Sequence, residues 1–182
     1  VEVAVKEESA ILRRARSRKI SRAAQAPAYT PPSPLPAPAV PPVVVGAGPA
    51  GLFAALVLAQ AGLRPILLER GRPVERRKAD VERFWATGEL DLTSNVQFGE
   101  GGAGAFSDGK LNTGTRDPRH RFILETLVSC GAPEDILMDA KPHVGTDYLH
   151  TVLVNLRRRL LELGTDIRFE SRLADLDIRE IG

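Results

Sequence analysis

The sequence predicts an α/β fold that contains a parallel βαβ unit. Val43-Val44-Val45 is a short β-branched run typical of a strand, and a glycine-rich turn follows it directly. Residues 49–61 are rich in Ala and Leu and apolar nearly all round, which favours a helix buried against a sheet. A second apolar run over 65–69 predicts the second strand. Helices follow the second strand where a third buried strand would be expected, so we predict helices inserted into the domain. We also expect the domain to be incomplete.

Composition limits the kinds of partner that the chain can have. No apolar run among the 182 residues approaches the roughly 20 residues that span a bilayer, so no membrane association is expected. The net charge of +2 argues against nucleic acid as the main partner. Cys130 is the only cysteine, which excludes an intrachain disulfide and a cysteine-based zinc site and fits a reducing compartment. We expect a cytoplasmic protein. The alternative, a plastid transit peptide at the Ser/Arg/Ala-rich start, is disfavoured by its acidic residues.

The chain divides into three parts. Residues 1–25 predict a short strand over 1–5 and a basic helix from 7 to 18, which we interpret as the tail of an N-terminal α+β domain. Residues 26–42 are proline-rich and predict an extended, disordered linker. Residues 43–182 predict the N-terminal part of a further domain, which we expect to continue beyond the last residue.

The later elements of the third part follow from periodicity and capping signals. A charged helix over 73–86 is predicted to use one apolar side, formed by Val74, Val81, Phe84 and Trp85. After a long loop over 95–115, the sequence predicts two helices and a strand: a helix over 120–130, a helix capped by Thr146 or Asp147 and ended by Gly164, and a strand over 166–176.

The turn after the first strand carries the pattern G-x-G-x-x-G, as Gly46-Ala47-Gly48-Pro49-Ala50-Gly51. The first glycine permits the tight turn, the second lets the backbone approach a pyrophosphate, and the third lets helix and strand pack closely. The free amides at the start of the helix then face the phosphates. This pattern between a strand and an apolar helix predicts a dinucleotide-binding, Rossmann-like unit.

Glu69 ends the second strand, near the expected distance of about 20 residues from the glycine turn. A carboxylate there is placed to accept a hydrogen bond from a ribose 2′-hydroxyl. Because it would repel a 2′-phosphate, the motif disfavours NADP.

The rest of the chain decides between FAD and NAD. An NAD-binding domain would bring a third buried strand within about 30 residues of Glu69. Instead, a second glycine-rich segment runs from Gly99 to Gly109. Consecutive glycines let backbone amides approach a long cofactor closely, although a mobile surface loop is the alternative interpretation.

Several segments resemble known flavoproteins. Residues 43–51 with 67–71 look like the FAD fingerprint of the two-dinucleotide-binding-domain flavoproteins. Residues 95–104, 106–113 and 141–147 resemble the family of uncharacterised FAD-dependent dehydrogenases, similar in fold to the HI0933-like flavoproteins. This resemblance covers residues 43–176 and implies an FAD-dependent oxidoreductase.

The resemblance also implies which residues hold FAD. The pyrophosphate would be bound by Gly46, Gly48, Pro49, Ala50 and Gly51. Glu69 and Arg70 would meet the adenosine end, and the backbone at Leu173 would meet adenine. The pyrophosphate, ribityl chain and flavin would run along Gly101, Gly102, Ala103, Gly104, Ser107 and Asp108.

The chemistry implied is that of the flavin, and the sequence offers three candidate side chains that could assist it. A flavin–disulfide mechanism is excluded within this chain because it has a single cysteine. Lys110 is a candidate cation near the flavin, with a solvated loop lysine as the alternative. His143 and Asp147 are candidate acid–base groups; the alternatives are a structural hydrogen bond and a helix cap. No metal-ligand spacing is present, so no metal site is predicted.

Two functions remain open at this point. One is a redox enzyme that holds FAD and acts on a small-molecule substrate or electron donor that the residues do not identify. The other is a non-catalytic module that binds NAD or ADP-ribose.

Overall fold

A computed structural model describes residues 3, 5–22, 29–30, 32–107, 109–111, 117–138 and 142–178. Its helices are α1 (Glu8–Arg14), α2 (Pro49–Gln60), α3 (Val74–Thr87), α4 (Arg119–Ser129) and α5 (Thr146–Glu162). Its strands are β1 (Val43–Val45), β2 (Ile66–Leu68) and β3 (Asp166–Arg168). Two short 3₁₀ turns cover Ala103–Phe106 and Glu134–Leu137.

The strands of the described residues form one parallel sheet in the order β1-β2-β3. Val43 pairs with Ile66, and Ile66 in turn pairs with Asp166. Two parallel neighbours joined by a helix are the arrangement of a βαβ unit. The predicted α/β, Rossmann-like fold is confirmed, and the carboxyl ends of β1 and β2 lie at the same edge of the sheet.

The core lies between the sheet and helices α2 and α5. Leu52, Ala55, Leu56 and Ala59 bury one side of α2. The apolar stripe of α5 is buried in the same cluster, through Val152, Leu153, Leu156 and Leu160. Gly62 follows α2 with a φ of 80°, a left-handed conformation that suits glycine just after the end of a helix.

Strand β3 is shorter than predicted. The alternating pattern over 166–176 predicted a strand of that length, but pairing ends at Arg168. Glu170 adopts a φ of 52°, so the chain turns there. The amides of Glu170 and Ser171 then donate to the carbonyls of Gly71 and Glu69 instead of continuing the ladder.

Helix α3 buries only part of the side that was predicted, since Val74 and Val81 are buried as expected. Trp85 is 66% exposed, so its assignment to the apolar side was wrong. The buried residues of α3 are Val74, Arg77, Asp80 and Val81. Arg77 and Asp80 form hydrogen bonds with the polar loop over residues 94–100. These charged side chains are buried where an aromatic contact was predicted.

Other boundaries also differ from the predictions. Gly145, rather than Thr146 or Asp147, occupies the N-cap of α5, and no side chain among the described residues caps the helix. Helix α1 ends at Arg14, and Arg16 has a φ of 36°, which stops the helix predicted to reach residue 18. Of the predicted strand over 1–5, Val3 and Val5 lie outside any strand and the other positions fall outside the described residues.

Parts of the proline-rich segment contact the folded unit. The Leu35 amide donates to the carbonyl of Ala61 at 2.9 Å. The Tyr29 ring lies 4.8 Å from that of Phe122, between ring centroids. Residues 32–42 contain no helix or strand.

Candidate nucleotide-binding site

The turn between β1 and α2, residues 46–51, is here called the fingerprint turn. Gly46 has a φ of 94°, and its amide donates to the Leu68 carbonyl at 2.7 Å, which ties the turn to β2. A Cβ built on Gly51 would lie 1.8 Å from the Gly46 carbonyl oxygen. Position 51 therefore requires glycine, because only a residue without a side chain lets the start of α2 pack this closely against the turn.

The start of α2 has free space around Gly46 and Gly48, on the side away from the Gly51 contact. Among the described residues, no atom comes within 4 Å of a Cβ built on Gly46 or Gly48. Pro49 and Ala50 are exposed. The amides of a first helical turn have no acceptor within their own helix, and the helix dipole adds partial positive charge there. An open cradle of this kind fits a diphosphate, which glycine backbone can approach without a side chain between.

A second glycine-rich stretch lies against the fingerprint turn. It belongs to residues 95–106, here called the glycine loop. The Gly101 amide donates to the Ala47 carbonyl at 2.8 Å. A Cβ built on Gly102 would lie 3.4 Å from Pro49 Cδ and 3.5 Å from Gly48 Cα. The two glycine segments, separate in sequence, are therefore neighbours in the fold.

The remaining glycine-loop candidates surround this contact. Ala103 and Gly104 are exposed in the 3₁₀ turn, and a Cβ built on Gly104 meets no described atom within 4 Å. Ser107 follows, with its hydroxyl donating to the Gly104 carbonyl at 2.9 Å. Asp108 lies outside the described residues. The loop thus adds open glycine backbone beside the start of α2, which extends a cradle suited to a long dinucleotide.

Glu69 is buried beside the fingerprint turn. One carboxylate oxygen accepts the Ala47 amide and the other accepts the Gly71 amide, each at 2.7 Å. The residue is only 4% exposed. The structure therefore gives Glu69 a role within the protein, holding the turn, in addition to its predicted contact with a ribose, which stays a prediction.

Arg70 lies beside the glycine loop. Its Nη2 donates to the Leu92 carbonyl at 2.7 Å, and its guanidinium carbon lies 3.9 Å from the centre of the Phe98 ring. The buried Nε has no hydrogen-bond partner among the described residues. Leu173, the predicted adenine contact, lies beyond the end of β3 and is partly exposed.

Two of the three catalytic candidates, Lys110 and His143, are brought together, while Asp147 lies exposed in the first turn of α5. Lys110 and His143 pair in an antiparallel bridge, flanked by hydrogen bonds from the Leu111 amide to Pro142 and from the Val144 amide to Gly109. Both residues are exposed. The bridge joins the end of the glycine-rich segment to the start of α5, and the roles of both side chains stay predictions.

Several buried charged residues were not predicted from the sequence, among them Arg77, Asp80 and Glu100. Arg77 is fully buried, and burial lowers the pKa of its guanidinium to about 10. Glu100 is 1% exposed; it accepts the Val74 amide at 2.8 Å and pairs with Arg157. Burial raises the pKa of Glu100 to about 7, against the opposing effects of the Val74 amide and Arg157. A usable signal was the spacing of Arg77 between Val74 and Val81, which places it on the inward side of α3.

Other features of the described residues limit the chemistry. No three His, Cys, Asp or Glu side chains in this part of the chain group as metal ligands. None of its helices is long and apolar enough to cross a bilayer. Cys130 is buried, and burial raises the pKa of its thiol, which keeps it in the less reactive form.

Comparison with known proteins identifies the cofactor. Residues 42–123, which contain the fingerprint turn and the glycine loop, match the family described as FAD binding domain. The chain is also 52% identical over 139 residues to an uncharacterized protein of Clostridium beijerinckii. That match covers 76% of this chain and 26% of the relative, so the chain spans about a quarter of the relative's length. The chain therefore carries an FAD-binding unit of the α/β Rossmann type, and its cofactor is FAD.

Proposed function

We propose that the protein is an FAD-dependent oxidoreductase of the dehydrogenase type, which moves electrons or hydride between FAD and an unidentified small molecule. The observation that carries this proposal is the hydrogen bond from the Gly101 amide to the Ala47 carbonyl. It joins two glycine segments into one cradle, longer than a single fingerprint turn offers. A cradle extended in this way suits a cofactor whose flavin end lies beyond its pyrophosphate. The resemblance to the uncharacterised FAD-dependent dehydrogenases supports the same assignment.

The proposed binding roles follow the two halves of the cradle. The fingerprint turn, with Gly46, Gly48, Pro49, Ala50 and Gly51, would hold the pyrophosphate through backbone amides and the dipole of α2. The ribityl and flavin side would lie along Gly101, Gly102, Ala103, Gly104, Ser107 and Asp108.

The adenosine end would lie at Glu69, Arg70 and Leu173. A ribose hydroxyl would donate to a lone pair of the Glu69 carboxylate that the Ala47 and Gly71 amides leave free, since each carboxylate oxygen has two acceptor positions. The negative charge at Glu69 also supports an unphosphorylated ribose at that position.

When bound, FAD supplies the electron and hydride chemistry, and the chain supplies position and electrostatics. Lys110 would place a positive charge where reduced flavin carries a negative one. His143, across the bridge from Lys110, would hold or release a proton at its imidazole. We place the reaction in the cytoplasm, with a small-molecule substrate or electron donor, and with neither nucleic acid nor membrane as partner.

The experiment that tests the proposal is a visible spectrum of the protein purified at its natural full length. Absorption bands near roughly 375 and 450 nm, the positions of oxidised flavin, are the expected result. Loss of the longer-wavelength band on anaerobic addition of a donor would identify the donor class. A colourless protein that binds NAD or ADP-ribose but not FAD would contradict the proposal and support a non-catalytic module.

A further inference from the structure

We propose that Arg77 is a positioning residue for the cofactor, which holds the glycine loop against the fingerprint turn before FAD arrives. This inference rests on the proposed function, in which the glycine loop forms one wall of the FAD site. Arg77 itself lies on α3, outside both glycine segments, and is not suggested to touch FAD.

The first support is the set of acceptors around the guanidinium. Arg77 Nε donates to the Asn95 carbonyl at 2.8 Å, and Nη2 donates to the Val96 carbonyl at 2.8 Å. Nη1 donates to the Glu100 carbonyl at 2.6 Å. One guanidinium group thus binds backbone carbonyls at the start of the glycine loop, at Asn95 and Val96, and again at Glu100. Arginine suits this arrangement because its donors form a rigid fork.

The second support is the packing of the loop around the same side chain. A Cβ built on Gly99 would lie 2.5 Å from Arg77 Cδ, so the loop passes too close for any side chain at that position. The guanidinium carbon lies 4.7 Å from the centre of the Phe106 ring, at the other end of the loop. Arg77 therefore contacts the loop before and after the segment that meets the fingerprint turn.

The third support is that the part of the glycine loop between these Arg77 contacts packs against the fingerprint turn. The Gly101 amide donates to Ala47, and Gly102 packs against Gly48 and Pro49. The Glu100 carboxylate accepts the Val74 amide from the start of α3. The path of the glycine loop over the fingerprint turn is thus fixed from α3, with Arg77 at the centre of the contacts.

Charge explains why the cation is tolerated there. Arg77 is fully buried, which lowers its pKa, but the nearby carboxylates of Glu69 and Glu100 both raise that pKa and so favour the charged form. Its pKa of about 10 keeps it protonated at neutral pH. Removing one buried charge would leave the others uncompensated, which is costly. The Arg77 cation therefore interacts electrostatically both with Glu69, beside the fingerprint turn, and with Glu100, in the glycine loop.

The expected benefit is a loop that needs little ordering when FAD binds. Binding to a disordered loop costs conformational entropy, and a preset loop avoids part of that cost. Loss of the Arg77 fork should therefore weaken FAD binding while leaving the βαβ unit folded.

The test uses the protein at its natural full length, stripped of FAD, as wild type, Arg77→Lys and Arg76→Lys. Lysine keeps the charge but lacks the planar fork. Arg76 is the exposed neighbour on the same helix, so Arg76→Lys is the matched control. Three measurements are made: FAD affinity by fluorescence titration, the visible spectrum of bound flavin, and amide hydrogen exchange of the FAD-free protein.

In FAD-free wild type, we expect the Glu100, Gly101 and Ala105 amides, which all have backbone acceptors, to be protected from exchange. Arg77→Lys should lose protection in the glycine loop but not in α2, and should bind FAD about tenfold more weakly. The bound flavin of Arg77→Lys should also show an altered band shape near 450 nm (approximate position of the oxidised flavin band). Arg76→Lys should match wild type in all three measurements.

Exchange of the glycine-loop amides in FAD-free wild type at the rate of an unstructured peptide would overturn the proposal, even if Arg77→Lys fails to fold. Unchanged FAD affinity in Arg77→Lys would overturn it as well. Protection lost equally in α2 and the loop would assign Arg77 a general structural role and also contradict the proposal. If wild type binds no FAD, the proposed function fails instead, and the exchange data still decide whether Arg77 holds the loop.

Discussion

The Glu69 carboxylate reaches from the end of β2 to the Ala47 amide of the fingerprint turn, at 2.7 Å. Its second oxygen accepts the Gly71 amide, so one buried side chain satisfies two backbone donors, one after β1 and one after β2. Buried amides of this kind destabilise a fold when they lack an acceptor. The acid that was predicted to contact a ribose thus also holds the turn that would contact the pyrophosphate.

Glu69→Gln should destabilise the protein. The glutamine carboxamide offers one acceptor oxygen and one NH2 donor, so one of the two backbone amides would face a donor instead of an acceptor. We expect the free energy of unfolding to fall by about 1–3 kcal/mol, measured by urea denaturation. Glu89→Gln, at an exposed position after α3, is the control and should change little. Equal stability of Glu69→Gln and wild type would mean that these two hydrogen bonds do not contribute.

Alanine at two glycines of the fingerprint turn should separate folding from cofactor binding. Gly51→Ala places a Cβ 1.8 Å from the Gly46 carbonyl oxygen, so the turn must distort and the fold should be lost or weakened by about 3 kcal/mol or more. Gly48→Ala meets no described atom within 4 Å and has an ordinary extended backbone, so the protein should fold normally. It should nevertheless bind FAD at least about tenfold more weakly, because the Cβ enters the cradle.

Thermal unfolding and FAD titration check this pair of variants. Normal FAD affinity in Gly48→Ala would show that the pyrophosphate does not approach at that position. A stable, well-folded Gly51→Ala would contradict the packing described for the fingerprint turn.

Stability should depend on pH through Glu100. Burial raises its pKa in the folded protein to about 7, above the ordinary value of 4.5 expected when unfolded. The folded state therefore holds this proton to higher pH than the unfolded state does. The resulting stability is present below about 4.5 and is lost as the pH rises through about 7.

The full shift corresponds to on the order of 3 kcal/mol, and Glu100→Gln, which cannot titrate, should lack this component. Urea denaturation of both proteins between about pH 4.5 and pH 7.5 measures it, since this window spans both values of the pKa. Glu82→Gln, on the exposed side of α3, is the control. Parallel stability curves for wild type and Glu100→Gln across this range would show that Glu100 keeps an ordinary pKa.

Lys110→Met should lower the reduction potential of the bound flavin. Reduced flavin is anionic, and loss of a neighbouring cation would favour the oxidised form. We expect a fall on the order of 30 mV, which for a two-electron couple equals about 1.4 kcal/mol. Redox titration of the full-length protein measures the potential, with Lys78→Met on α3 as a control of equal charge change. An unchanged potential in Lys110→Met would remove this lysine from the flavin site.

The βαβ unit was accessible from the sequence because its signals are local. A β-branched run, a fixed glycine spacing and an apolar helix each depend on residues close in the chain, and β1, α2 and β2 were placed nearly at their observed bounds. The end of β3 was not accessible in the same way. The alternation continued to residue 176, whereas the pairing stops where Glu170 turns the chain towards Gly71.

Burial of charge was the other limit. Charge makes Arg77 and Glu100 look like solvated residues, although the spacing of Arg77 along α3 points inward, and Trp85 looks like a core residue. In the structure, Arg77 and Glu100 are buried and Trp85 is exposed. The partners that make burial of Arg77 favourable are backbone carbonyls of a distant loop, which no periodic pattern reveals. The hydrogen bond between Gly101 and Ala47 was likewise beyond the sequence, because it joins positions far apart in the chain.

The close contact between Arg77 and Gly99 limits which residues can stand at these two positions. Any side chain at position 99 would occupy the space of the Arg77 stem, since the two would approach to 2.5 Å. Gly99 also has a φ of 116°, and a Cβ there would lie 3.2 Å from the backbone oxygen of Arg72, so shortening residue 77 alone would not make room for a larger residue at 99. Homologous sequences that keep this loop should therefore keep glycine at 99, and an engineer can vary position 77 but not position 99.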